Sequence, residues 1–439
     1  MTAPAGPRVA IGLESMALGG CPINALDLAS LLRGRGHQVS LFAVDSDAPT
    51  SIAPLIAQRG FDLTVLPARA GIGERARQIR AVARDHDVDV VHVFAPWLAP
   101  PLALALRSSP ARVGVVTNWT MEAERYVPTW LPQVVGTQAL RREVMTWHRA
   151  PVRLMEPPVD VGADRPDAVR GARFRSELGI AADELVVGVV SRLDRIMKAE
   201  GILAAIRATT ALPDLPIRLV VVGDGDARGS IEAAAAAANQ RLGRPATILT
   251  GASMDPRGAY DGADVVLGMG GSALRALAHA RPLVVLGEQG FCRLFEPGSA
   301  AYFYEHGFYG RGHAEDVVPV LARILRGLVD PDRREQLGSF GRTEVDARFS
   351  LAAATDALEG LYEDALARPT GLTVRWVDTA TRQLRTAARG LRTHDRGYLA
   401  RGVLGRRAVT HPGPRGSRSD RGVGHRFPPQ SHQSIEGVR

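Results

Sequence analysis

The chain has 439 residues, 45 % of them apolar, enough for two or three globular domains with ordinary cores. Its formal charge of +8 is unevenly placed: thirteen arginines and three acids lie from Arg382 onward, which leaves about −2 on the first 381 residues. A near-neutral body argues against nucleic acid as the partner. Two cysteines, Cys21 and Cys292, make no disulfide framework and show no metal-ligand spacing, so packing in a reducing cytoplasm is their expected role. No run approaches the roughly 18 apolar residues of a membrane span, and Met1–Arg8 holds no apolar signal core.

The first strand is expected over Val9–Leu13 and ends in a loop holding Gly19 and Gly20. Backbone N–H groups there are able to approach a phosphate, though a plain turn explains the glycines equally well. A helix follows over Asn24–Arg35, with Gly36 as its stop, and the second strand is Val39–Val44. Further strands fit Phe61–Leu66, Asp89–Phe94, Arg112–Thr117 and Gln133–Gly136. This alternation predicts a doubly wound parallel sheet. Asp45 and Asp47 are a poor divalent cage and read as turn residues. His92, inside an apolar strand, reads as a core histidine.

The segment Glu156–Pro166 breaks the pattern with prolines and a glycine, as a linker does. A second series of strands then fits Leu185–Val190, Ile217–Val222, Ala246–Leu249, Asp264–Leu267 and Leu283–Leu286. Helices fit Gly201–Thr210, Arg228–Leu242, Ser272–His279 and Glu315–Leu328. Ser191-Arg192-Leu193 closes the strand Leu185–Val190, and Lys198 precedes the next helix. Two cations thus hang off the carboxyl end of a strand, where open α/β sheets bind ligands. Lys198 is the single lysine beside 53 arginines, which points to a site needing a compact ammonium rather than a planar fork.

Gly223-Asp-Gly225 belongs to a G-x-G-x-x-x-G run, one residue longer than a dinucleotide fingerprint and on the second strand of its domain. A loop lining a nucleotide pocket is the better reading. The strand beginning at Asp264 runs into Gly268, Gly270 and Gly271, with Ser272 as the expected N-cap of a helix. That terminus offers free N–H donors and a positive dipole end.

Ser191-Arg192-Leu193, Lys198, Gly201, Val221–Gly225, Ala263–Val265 and the helix from Ser272 to Pro282 together resemble the second domain of nucleotide-sugar glycosyltransferases of the GT-B fold, family 4. The Gly19-Gly20 loop, Leu31–His37 and Pro157–Asp160 fit the same family. The resemblance, spanning residues 8–366, implies two Rossmann-like domains facing across a cleft. It divides the chain into an acceptor-side domain (1–156), a linker (157–166), a donor domain (167–341), a helix returning to the first domain (342–368) and a basic low-complexity tail (369–439). It implies a nucleotide-diphosphate sugar as donor, an acceptor that is a small molecule, a glycan or lipid-linked, retention of configuration, and neither metal nor cofactor. Arg192 and Lys198 are the implied catalytic cations on the diphosphate, with Gly19, Gly20, Gly223, Gly225, Gly270, Gly271, Ser272 and Arg275 around the donor. Two glutamates usual in the family fall on Leu267 and Arg275, and the usual histidine after the Thr117 strand is replaced by Asn118-Trp119. Glu288, in the next loop, is a substitute carboxylate or a surface acid.

Two other function classes stay open: a non-catalytic sugar-nucleotide-binding protein, and a sugar-nucleotide epimerase of the same fold. The expected location is cytoplasmic, with a peripheral position at the inner membrane face if the basic tail contacts anionic lipid. A dispensable tail is the plainer reading, under which a chain ending after Ala367 keeps its turnover of soluble substrates.

Overall fold

A computed structural model of the chain describes residues 6–47, 50–312 and 316–392, with side chains through Arg382. The tail beyond Arg392, and Glu315 at the start of one expected helix, lie outside the described residues.

The first sheet has seven strands: β1 (Val9–Leu13), β2 (Val39–Val44), β3 (Leu63–Leu66), β4 (Val90–Val93), β5 (Val113–Asn118), β6 (Gln133–Val135) and β7 (Val152–Leu154). Their order is β3-β2-β1-β4-β5-β6-β7, and every pairing is parallel. Helices α1 (Gly20–Gly34), α2 (Ala53–Gln58), α3 (Ile72–Asp85), α4 (Ala99–Leu106) and α5 (Gln138–Met145) connect them. The second sheet orders six strands as β10-β9-β8-β11-β12-β13. These are β8 (Leu185–Val190), β9 (Ile217–Val222), β10 (Thr247–Gly251), β11 (Val265–Gly268), β12 (Leu283–Leu286) and β13 (Cys292–Leu294). Only β13 runs antiparallel to its neighbour, among the described residues. Helices α6 (Ala168–Glu177), α7 (Ala199–Thr210), α8 (Arg228–Leu242), α9 (Arg257–Gly262), α10 (Gly271–Ala278), α11 (Pro297–His306) and α12 (Val317–Gly327) complete that domain. The central strands β1, β4, β8, β9 and β11 are buried runs, as parallel sheets covered on both faces require.

The chain crosses between domains twice, and the crossings lie side by side. Val159 N–H donates to the Phe349 carbonyl (2.8 Å), and Leu351 N–H donates to the Val159 carbonyl (2.9 Å). The expected single helix over 342–367 is therefore two, α13 (Pro331–Arg348) and α14 (Leu351–Ala367), broken where extended Ser350 pairs with the linker. α14 docks on the first sheet. Tyr362 Oη meets His92 Nδ1 at 2.7 Å, and His92 Nε2 meets Thr117 Oγ1 at 2.7 Å. His92 is thus the satisfied core histidine that its apolar strand suggests.

Burial pushes the His92 imidazole down to about 3. The neutral ring is kept in the fold, while the unfolded chain takes a proton at an ordinary value of about 6.5. Stability from this residue is full above pH 6.5 and declines as the pH falls towards 3, by up to about 1.4 kcal/mol per unit. Urea midpoints should therefore drop less between pH 6.5 and pH 4 in His92→Gln than in the wild type. Equal drops would remove His92 from the acid response.

A last helix, α15 (Leu372–Arg392), stands where Arg382, Arg385, Arg389 and Arg392 recur at helical spacing in the sequence, and a helix over Leu372–Leu391 is what that spacing predicts. Arg375 is 1 % exposed and stacks on Trp130, 5.0 Å from the ring centre. It donates to the carbonyls of Thr370 (2.7 Å), Ser109 (2.9 Å), Leu106 and Arg112 (both 3.3 Å). Asp378 accepts from the Thr129 N–H (2.8 Å) and hydroxyl (2.9 Å). Removing this helix would strip buried donors and acceptors from the first domain, so the folded body extends into α15.

Candidate active site

Both sheets change winding direction beside their first strand, between β1 and β4 and between β8 and β11. Ligands of doubly wound sheets sit at such points, outside the carboxyl ends of the strands. The loops after β1, β8 and β11 carry Gly19-Gly20, Arg192 with Lys198, and Gly270-Gly271.

The Arg192 loop is held from below by the Gly223–Gly225 turn. Ser191 N–H donates to the Val222 carbonyl (3.0 Å), Leu193 N–H to that of Asp224 (2.9 Å), and Ala227 N–H to that of Leu193 (2.8 Å). A Cβ on Gly223 would lie 1.8 Å from the Ser191 carbonyl oxygen, and one on Gly225 would lie 2.4 Å from that of Leu193. These glycines let two backbones touch, so the structure gives them a supporting role beneath the Arg192 loop. Asp194 then turns the chain: its carboxylate accepts the Met197 N–H (2.8 Å) and its carbonyl the Ala199 N–H (2.9 Å). Lys198 lands at the N-cap of α7. Burial pulls its ammonium down to about 8, assisted by Arg192 and opposed by Asp194 and Glu288. Asp194, Arg192 and Glu288 thus lie within electrostatic reach of Lys198. Glu288 is also bound by Arg311 (2.9 Å), which faces Glu122 of the first domain at 3.7 Å. The acid after β12 is thus part of the cleft and is already paired.

Arg192 itself is exposed and reaches across the cleft, its guanidinium carbon 3.8 Å from where a Gly19 side chain would begin. The two glycine loops meet there, since a Cβ on Gly271 would lie 3.9 Å from the Gly20 Cα. Expected Ser272 capping is corrected. The N-cap of α10 is Gly270, at φ +62°, where a side chain would strike the Tyr309 hydroxyl at 2.4 Å. Ser272 sits inside the first turn and donates its hydroxyl to the Met269 carbonyl (3.0 Å). The Gly270 N–H is spent on the Phe308 carbonyl (2.8 Å), which leaves the amides of Gly271 and Ser272 at the open end of the helix.

Arg275 points elsewhere than the sequence suggests. Its guanidinium reaches Asn24 (3.3 Å) and Asp27 (3.5 Å) on α1 and Asp164 in the linker (3.4 Å). Leu267 is 1 % exposed inside β11. Leu267 offers no polar group to the cleft, and Arg275 lies beside the glycine loop, its Nη1 3.3 Å from where a Gly271 side chain would begin, with its charge engaged by these acids. The sequence reading missed Glu14, one residue beyond β1, although it satisfies the same strand-end rule as Arg192. Burial raises its carboxyl above the ordinary range, countered by the facing Arg192. Tyr309 was missed as well, and only its contact with Gly270 reveals it.

Residues 18–161 match the family model described as Glycosyltransferase Family 4. No curated protein sequence matches the chain. Among solved structures, Anabaena HepE in complex with UDP and glucose shares 18 % identity at a TM-score of 0.62, covering 80 % of this chain and 98 % of that one. A Rickettsia africae glycosyltransferase shares 12 % identity at a TM-score of 0.63, covering 83 % and 100 %. The pneumococcal O-GlcNAc transferase GtfA, with UDP and GlcNAc, shares 10 % at 0.59, covering 82 % and 100 %. The first domain thus matches glycosyltransferase family 4, and the two-sheet architecture of the chain is the GT-B fold of these solved glycosyltransferases.

Proposed function

We propose that the chain transfers a hexose from a nucleoside-diphosphate sugar to an acceptor hydroxyl, with retained configuration and without a metal. The observation that carries this reading is the meeting of Arg192, Lys198 and the two glycine loops at the facing carboxyl edges of the sheets. A departing diphosphate gains negative charge as its bond to the sugar breaks, and cations fixed where that charge grows stabilise the transition state. The open amides at the start of α10 add a positive dipole end on the same edge. HepE and GtfA were solved with UDP, which makes UDP-hexoses the first donors to try.

A non-catalytic nucleotide-sugar binder is the competing reading, favoured by Leu267 and Arg275 standing where the family carries acids. Thermal shift with UDP-, GDP- and TDP-sugars, paired with release of nucleotide in chelator, separates the two. The expected outcome is a raised melting point with a UDP-hexose and slow donor hydrolysis when no acceptor is present. Stabilisation without release over long incubation supports the binder. No shift with any donor overturns both.

A further inference from the structure

We propose that Glu14 and Tyr309 form a hexose-recognition pair in the cleft, binding hydroxyls of the donor sugar. The inference deepens the nucleotide-sugar reading above and rests on it. Glu14 is the first residue beyond β1, and Tyr309 lies in the loop after α11. Both side chains are partly buried. Among the described residues, neither the Glu14 carboxyl nor the Tyr309 hydroxyl has a hydrogen-bond partner. Polar groups held out of bulk water without a partner are costly unless a ligand or solvent completes them. The Tyr309 hydroxyl lies where the switch points of the two sheets meet. On the second domain it abuts Gly270, the N-cap of α10, where any side chain would strike the phenol. On the first it is within electrostatic reach of Glu14 and of Cys21, whose thiol donates to the Phe94 carbonyl after β4 (3.4 Å).

Tyr309 is held by two interlocked loops. A Cβ on Gly287 would strike the Gly310 carbonyl, and one on Gly312 would strike that of Gln289. The Glu288 N–H donates to the Gly310 carbonyl (2.8 Å), and the Gly312 N–H donates to that of Glu288 (2.9 Å). Arg311, the neighbour of this pair, ties the same loop to Glu288 at 2.9 Å. A side chain fixed in this way discriminates between ligands that differ by one hydroxyl's direction. The chemistry of the two groups selects the sugar. Burial pushes the Tyr309 phenol up to about 12, so it enters as an O–H donor. The Glu14 carboxyl accepts hydrogen bonds from hydroxyls in either protonation state. Its charged form repels a diphosphate, so it suits the uncharged ring rather than the phosphates. Arg192, which faces Glu14, is left to the phosphates.

The test is titration calorimetry of the full chain with UDP, GDP and TDP and with their glucose, galactose and mannose conjugates. The wild type should prefer one hexose over its epimers. Glu14→Gln and Tyr309→Phe should each keep the affinity for the free nucleotide, which also shows that the variant is folded. Each should bind the preferred conjugate about tenfold more weakly and lose most of the preference between epimers. Unchanged conjugate affinity and unchanged epimer preference in either variant overturns the pair and leaves the nucleotide-sugar reading standing. Loss of the free nucleotide in step with the conjugate assigns the residue to the nucleotide or to the fold, and overturns the pair as well. Absence of binding of every nucleotide and conjugate by the wild type overturns the nucleotide-sugar reading, and the pair with it.

Discussion

Lys198→Ala should lower kcat for nucleotide-sugar turnover roughly a hundredfold, or about 3 kcal/mol in transition-state stabilisation. Lys198 is the N-cap residue of α7, and its ammonium lies within the field of Asp194, Arg192 and Glu288. Its attraction to the leaving diphosphate grows as the sugar bond breaks, so kcat falls and not donor affinity alone. Lys198→Arg should recover only part, because a planar fork does not occupy the same point. The pH profile gives an independent check. Burial lowers the amine to about 8, so the free enzyme carries the charge at pH 7 and loses it as pH rises past 8. kcat/KM should therefore fall above pH 8 in the wild type, and this limb should vanish in Lys198→Arg, whose guanidinium stays charged. Acylation offers a third reading, since an amine-directed reagent meets only Lys198 and the chain's N-terminus. A donor should protect Lys198. Equal labelling with and without every donor, together with full activity of Lys198→Ala, would move the donor site elsewhere.

The strand framework was legible because buried parallel strands are uninterrupted apolar runs. β1, β2, β8, β9 and β12 have the bounds expected from sequence. β7 and β13 escaped notice because each three-residue strand carries a central arginine, Arg153 and Arg293, which breaks the apolar run that marks the equally short β6. The break between α13 and α14 was hidden by its composition: Phe349 is 1 % exposed and continues the apolar rhythm, and no glycine or proline marks the turn. Ser350 before Leu351 was the available signal, a residue type that favours helix starts. At the site, Arg192 and Lys198 were readable from one local rule about strand ends. Glu14 obeys the same rule and was passed over because Gly19-Gly20 drew the reading of that loop. Arg275 was not readable at all. Its partners Asp27 and Asp164 lie far away in the chain, and only the closed arrangement of α1, the linker and α10 brings them together.

That arrangement makes Arg275→Gln the second large effect, and one on stability rather than on donor affinity. The guanidinium is 13 % exposed and faces two carboxylates that are themselves only 11 % and 12 % exposed. Burial raises the Asp27 carboxyl, and Arg275 and then Arg59 are the charges that hold it down. On the far side, Asp164 faces the fully buried His279 at 3.6 Å, and His279 in turn meets Asp261 at 2.7 Å. Taking away the central cation leaves two buried acids short of charge, which costs about 2–3 kcal/mol at these separations. The loss should appear as a lower urea midpoint. Arg275→Glu, which restores the acid usual in the family at this position, should destabilise further, since it places a third carboxylate beside Asp27 and Asp164. Asp27→Asn should recover part of the loss of Arg275→Gln, a coupling that a double-mutant cycle reads directly. Donor KM should move far less in Arg275→Gln than in Lys198→Ala. If instead stability is unchanged, the cycle is additive and donor KM rises sharply, then Arg275 faces the donor in solution and the ion pairs with α1 and the linker do not hold the domains together.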